Sequence, residues 1–308
     1  MSVSLVPCEI KAACLADYTT FALGGPCRAL WACTKPDELQ AVVRTLQAAA
    51  APYLLIGGGS NLLIDDAGLD VVVVRYFSDE PHIEWAGNTV TVSGATRLDH
   101  LARDTAAAGL AGVVCGSGIP GTVGGAIVGN AGAFGQQIGD VVEEVECLAP
   151  DGSRQTLSRA ELGFAYRYSN LRHRRLVVLS ARLRLQPTDS AELNRERARI
   201  LELRRAKHPD WRTEPCIGSI FRNIEPSSAA GRRQAAGWFL EQAGTKAMRV
   251  GGAYVYPRHA NIIVRDPAGT AHDVKELSGR MHQAVRDRFG LDLQYEVRFV
   301  GPNHLYNT

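Results

Sequence analysis

The sequence predicts an α+β protein of more than one domain, and three observations carry that expectation. Short apolar strands alternate with a helix over the first third, a glycine-rich tract lies between alternating strands in the middle, and a charged helix opens a second mixed unit near residue 188. The chain has 308 residues, enough for two or three domains that each bury a core.

Arg28 to Cys33 reads as a strand. Thr34-Lys35-Pro36-Asp37 reads as a helix start, with Thr34 capping the free amides, Pro36 in the first turn and Asp37 at the positive end of the dipole; the helix should reach about Ala49. Tyr53 to Ile56 and Val71 to Val74 are apolar strands, and His82 to Val92 reads as a hairpin turning at Gly87-Asn88. Leu98 to Ala108 is helical in pattern. The tract Gly116 to Gly139 is too rich in glycine for one helix, so a loop is expected there. Val142 to Leu148 and Leu176 to Leu185 alternate as strands around it, with a turn at Asp151-Gly152. Gln186-Pro187-Thr188-Asp189 marks a boundary, followed by a helix from Ala191 to Lys207 that Asp189 and Glu192 introduce. Beyond it, Val274, Leu277, Met281 and Val285 share one helix face that Gly290 ends, and Leu293 to Val300 reads as a last strand containing Glu296.

Composition removes several function classes. Hydrophobic residues at 45% and charged residues at 21% suit a globular chain, and a net charge of +2 gives no reason to expect nucleic acid. Met1 to Leu15 lacks the basic and apolar blocks of a signal peptide, and no apolar run approaches the roughly 20 residues of a membrane span. The seven cysteines form no CxxC pair and the eight histidines are scattered, which predicts reduced thiols in the cytoplasm and no metal site.

Three glycine-rich segments stand out. Gly57-Gly58-Gly59-Ser60-Asn61-Leu62 directly follows an apolar strand, where successive glycines can turn the backbone sharply and aim amides at phosphate oxygens. The second runs through Ser117, Ile119, Pro120, Gly121, Thr122, Gly124 and Gly125 to Asn130, Ala131 and Gly132. It contains GxGxxG spacing at Gly116, Gly118 and Gly121, but Pro120 stands where a dinucleotide-binding helix should donate amides. A loop along an extended ligand, using amides and the Asn130 side chain, fits better. The third, Gly218-Ser219-Ile220-Phe221-Arg222-Asn223, is no nucleophile elbow, and Gly244-Thr245-Lys246 is no Walker sequence, so hydrolase and phosphotransferase readings lose ground.

Together these segments resemble the UDP-N-acetylenolpyruvoylglucosamine reductase (MurB) family over nearly the whole chain. Thr20-Phe21 with Gly24-Gly25, Tyr166-Arg167-Tyr168-Ser169, Gly251-Gly252-Ala253 with His259-Ala260-Asn261, and Glu296-Val297-Arg298-Phe299 complete the series in the family's order. The resemblance implies an α+β fold of the vanillyl-alcohol oxidase type, with FAD-binding subdomains at 1–75 and 76–187 and a C-terminal substrate domain at 188–308. It implies non-covalent FAD held by the first two glycine segments, NADPH as hydride donor, a nucleotide-sugar substrate, no membrane or nucleic-acid partner, and a monomer. The short path from Tyr166 to Lys207 places it with the subclass that lacks an extra substrate-covering loop.

In such a reaction hydride reaches the terminal carbon of an enolpyruvyl double bond, leaving negative charge on the neighbouring carbon and carboxylate. A guanidinium can hold that charge with paired hydrogen bonds, and Arg167 matches the family's catalytic arginine. Ser219 matches the proton donor and Glu296 the assisting carboxylate, although Glu296 alone would pass for an ordinary strand residue. Tyr166, Lys207 and Asn223 match positions that grip the nucleotide sugar. The chain departs from the pattern at Arg222 (usually lysine), Ile224 (proline), Phe134 (tyrosine) and Gly129 (methionine). Two other readings stand beside this one: an alcohol-oxidising flavoenzyme with flavin tethered through Cys115 or a histidine, and a nucleotide-binding module without catalysis.

Overall fold

The computed structural model describes residues 8–225 and 233–302, so Met1 to Pro7 of the leader reading lie outside the described residues. Two compact units are present. One comprises the chain up to Ala13 with Arg28–Gly58 and Val71–Arg204; the other comprises Cys14–Cys27, Gly59–Asp70 and the chain from Arg205 onward.

In the first unit, a four-stranded sheet runs in the order Cys8–Lys11, Cys27–Cys33, Leu69–Tyr76, Tyr53–Ile56, and the last two strands are parallel. The Pro36–Ala48 helix crosses between strands and buries Leu39, Val42, Val43 and Leu46 against Val72, Val74 and Tyr76. A helix of this length is marginal alone, so four buried side chains at about 2 kcal/mol each decide its stability. Its start differs from the sequence expectation. Thr34 does not cap with its hydroxyl; the Glu38 carboxylate accepts from the Thr34 and Lys35 amides at 2.8 and 3.1 Å, and the Thr34 hydroxyl donates to it as well. The helix starts one residue later than expected, with Lys35 at the N-cap and the N3 carboxylate of Glu38 reaching back over the two residues before Pro36.

A second, antiparallel sheet of five strands has the order Arg154–Ser158, Val142–Leu148, Val177–Arg184, Thr89–Ser93, Ile83–Ala86, with the expected hairpin at Gly87-Asn88. The glycine tract packs on this sheet, and it is not one loop. A helix forms at Val123–Gly129 despite Gly124 and Gly125, because Thr122 accepts the Gly125 amide as N-cap and Asn130 ends the helix in a left-handed conformation. Gly124 is needed there: a Cβ would come within 3.1 Å of the Gly94 carbonyl, so its absence lets the helix settle onto the sheet.

In the second unit, Arg249–Val250, Ala253–Val255 and Ile263–Arg265 form a meander. The Ala271–Phe289 helix buries Val274, Leu277, Met281 and Val285 as expected and ends at Gly290, φ +65°. The last strand is shorter than the sequence suggests. Only Arg298–Val300 is strand, parallel to Leu62–Ile64; Leu293 to Val297 lies outside it, and Glu296 precedes it. Before it the pairing is an isolated antiparallel bridge of Tyr295 with Phe221, in which Glu296 N donates to Ile220 O and Arg222 N to Gln294 O, each at 2.8 Å.

Candidate active site

The two glycine segments expected to hold a cofactor meet backbone to backbone. A Cβ on Gly58 would lie 2.9 Å from Gly121 Cα, and one on Gly57 would lie 2.7 Å from Thr122 Oγ1. The first approach is to backbone and the second to the Thr122 side chain, and neither leaves room for a Cβ on the glycine. In the second unit Gly59, at φ +61°, would set a Cβ 2.1 Å from Tyr18 O, so glycine is required there too.

Side chains in these segments mostly brace the loops. The Ser117 hydroxyl is buried and donates to Val114 O at 2.7 Å. Asn130 is buried and spends both ends of its amide inside the protein: Nδ2 donates to Ala165 O at 2.8 Å and Oδ1 accepts from Gly139 N at 3.0 Å. At Ile119, Pro120, Gly121, Ala131 and Gly132 the side chains carry no polar atoms, so only the main chain offers polar groups there. Arg204, which the sequence reading did not single out, stands one helical turn before Lys207; its Nε donates to Ser117 O at 2.7 Å. Burial lowers its pKa, with Arg167 adding in the same direction.

Arg167 lies in a tight turn closed by reciprocal bonds between Ala165 and Tyr168 at 3.1 Å, and its φ is +53°. Its guanidinium stands over the Tyr166 ring, and Nη1 donates to Gly132 O at 3.0 Å. The structure thus brings Arg167 and Tyr166 to the end of the glycine tract.

In the second unit Ser219 and Glu296 come to one peptide. Ser219 follows Gly218, φ +76°, and the next residue, Ile220, donates its amide to Asn261 O while its carbonyl accepts from Glu296 N at 2.8 Å. Asn61 of the first glycine segment holds the other side of Glu296, giving Nδ2 to Glu296 O at 3.1 Å and accepting Arg298 N at its own carbonyl. Asn261, buried, pairs its amide with both polar groups of the Phe221 backbone at 3.0 and 2.8 Å. It was quoted in the sequence as part of a motif, but without a role; a side chain that imitates a strand partner is visible only in the fold. Asn223 Oδ1 accepts Ala236 N at 3.2 Å at the start of the Ala236–Gln242 helix. Lys207 is exposed at a helix end, and burial followed by the charges of Lys207 and Lys246 depresses the His259 pKa.

Residues 27–158 match the FAD binding domain family, and residues 209–300 match the C-terminal domain of UDP-N-acetylenolpyruvoylglucosamine reductase. The chain is 37% identical over 289 residues to UDP-N-acetylenolpyruvoylglucosamine reductase 2 of Symbiobacterium thermophilum, spanning 94% of this chain and 91% of that one. It belongs to the UDP-N-acetylenolpyruvoylglucosamine reductase family. The reductase of Bacillus subtilis is 33% identical, with 94% and 93% covered. The crystal structure of the reductase from Thermus caldophilus superposes with a TM-score of 0.77 at 32% identity, covering 95% of this chain and 98% of that one.

The α+β fold of a UDP-N-acetylenolpyruvoylglucosamine reductase is therefore an FAD-binding fold of the vanillyl-alcohol oxidase type followed by the family's C-terminal domain. The residues present fit FAD: Gly57 and Gly58 abut Gly121 and Thr122 with no room for a Cβ, and glycine turns of this kind present main-chain amides that suit an extended phosphate-bearing cofactor. Among the described residues no group of His, Cys, Asp and Glu could hold a metal ion, and no helix is long and apolar enough to cross a membrane.

Proposed function

We propose that the chain reduces the enolpyruvyl double bond of UDP-N-acetylenolpyruvoylglucosamine to give UDP-N-acetylmuramate, a step of peptidoglycan synthesis, with NADPH as electron source. The two glycine segments would hold FAD, which would supply the hydride chemistry between NADPH and the enol ether. The chain's own residues bind, orient and protonate. Arg167 holds the substrate carboxylate and the negative charge that grows beside it, through a planar fork that stays protonated. Ser219 hands a proton to the carbon left behind, and Glu296 assists. Tyr166, Lys207 and Asn223 hold the nucleotide sugar, with Lys207 near the diphosphate.

The observation that carries this reading is the Ile220 peptide, whose neighbour is Ser219 and whose carbonyl receives Glu296 N. It joins the backbones of two segments far apart in sequence, one carrying Ser219 and the other Glu296. Non-covalent flavin is supported at Cys115, whose buried thiol has its pKa raised by burial and is a poor nucleophile. Acid precipitation should release the flavin into solution. We further assign the chain to the subclass without the extra loop, acting as a cytoplasmic monomer; the six described cysteines whose side chains are defined are free thiols, in keeping with a reducing compartment.

Ser219→Ala tests the assignment. Bleaching of the flavin by NADPH should stay within about twofold of wild type, while anaerobic reoxidation by the enolpyruvyl substrate slows about a hundredfold or more. Equal slowing of both halves would remove Ser219 from the proton-donor role.

A further inference from the structure

We propose that Asn130 is a positioning residue for Arg167: its side chain ties the glycine tract to the turn that presents the guanidinium. This rests on the role given to Arg167 above. Asn130 is 1% exposed and holds φ at +46°, so its side chain leaves the end of the Val123–Gly129 helix in one direction only. Its two partners settle which end of the amide faces where. Gly139 N can only donate, so Oδ1 faces it at 3.0 Å; Ala165 O can only accept, so Nδ2 faces it at 2.8 Å. That same Ala165 carbonyl receives Tyr168 N at 3.1 Å and closes the turn holding Tyr166 and Arg167.

The connection returns to where it began. Arg167 Nη1 donates to Gly132 O at 3.0 Å, two residues beyond Asn130, so the tract grips the turn through an amide and the turn grips the tract through its guanidinium. A left-handed arginine persists only where its surroundings impose that conformation, and Asn130 supplies the bond at the base of the turn. With both ends of its amide engaged, its side chain has this structural task and not a cofactor contact.

Two substitutions separate the possibilities. Asn130→Asp keeps the acceptor for Gly139 N and turns the donor into an oxygen facing the Ala165 carbonyl. Asn130→Gly removes the side chain and tolerates the left-handed backbone, and it serves where the first variant does not accumulate. Either, with flavin bound, should be reoxidised by saturating enolpyruvyl substrate about tenfold more slowly or worse than wild type, a larger loss than in bleaching by NADPH. In an Arg167→Lys background the same change should add less than about twofold, since its effect runs through Arg167. Effects that multiply, or loss of flavin from both variants, would overturn the proposal. In flavin-free protein, amide exchange at Gly139 and Tyr168 should accelerate together in Asn130→Gly; unchanged protection at Tyr168 would also overturn it. If wild-type protein is not reoxidised by the substrate, the proposed reaction fails, while the exchange measurement still decides whether Asn130 holds the turn.

Discussion

Arg167 and His259 show how single residues are set by their surroundings. A non-glycine residue in the left-handed region costs about 1 kcal/mol or more, and Arg167 is held there by a turn pinned at Ala165. His259 is governed by charge and solvent. Burial, then the nearby Lys207 and Lys246, hold its pKa below the ordinary 6.5, while its Nδ1 accepts Asn261 N at 3.3 Å, which only the neutral ring can do. A histidine depressed in the folded state binds fewer protons there than when unfolded. Its contribution to stability is whole above about pH 6.5 and is lost as the pH falls through the folded value. Urea midpoints of wild type should therefore fall on going from pH 8 to pH 5 by more than those of His259→Gln. Equal slopes would show that His259 is not the titrating group.

Among the elements, helix ends and strand ends are where local pattern and tertiary structure part. The Ala271–Phe289 helix obeys its sequence at both ends, with Thr270 accepting Asp273 N at 3.1 Å, the Asp273 carboxylate reaching back to Thr270 N, and Gly290 at the other. Removing such a cap by Thr270→Ala should lower unfolding free energy by about 1 kcal/mol, seen as a lower urea midpoint with unchanged slope. Leu293 to Val297 has a strand's alternation but pairs only through an isolated bridge, Tyr295 with Phe221, while the Asn61 side chain takes the Glu296 carbonyl. The Val123–Gly129 helix is the opposite case. Its glycines argue against a helix, but contact with Gly94 and Val178 needs a surface without side chains. Propensity is a fraction of a kcal/mol to about 1 per glycine, and packing on a sheet outweighs it.

For the molecule as a whole, the cofactor should act as a structural ligand as well as a reactant. Flavin at a hundredfold over its Kd would stabilise the folded chain by about 2.7 kcal/mol. Stripping the flavin should then lower the melting temperature by about 4 to 8 °C, and added FAD should restore it. A melting curve indifferent to FAD would contradict the glycine cradle.

The α+β class, the buried helix faces and the family are legible before folding, since these depend on patterns of residue type along the chain and on motifs in a set order. Gly57 to Leu62, Arg167, Ser219 and Glu296 were legible as candidates for that reason. That Asn130 braces a turn, that Asn261 stands in for a strand, and that Glu296 meets Ile220 beside an isolated bridge emerges only on folding. An amide side chain reads the same in sequence whether it faces a ligand or a distant carbonyl; its partner is chosen by residues 35 to 40 positions away, and that choice exists only once the chain has folded.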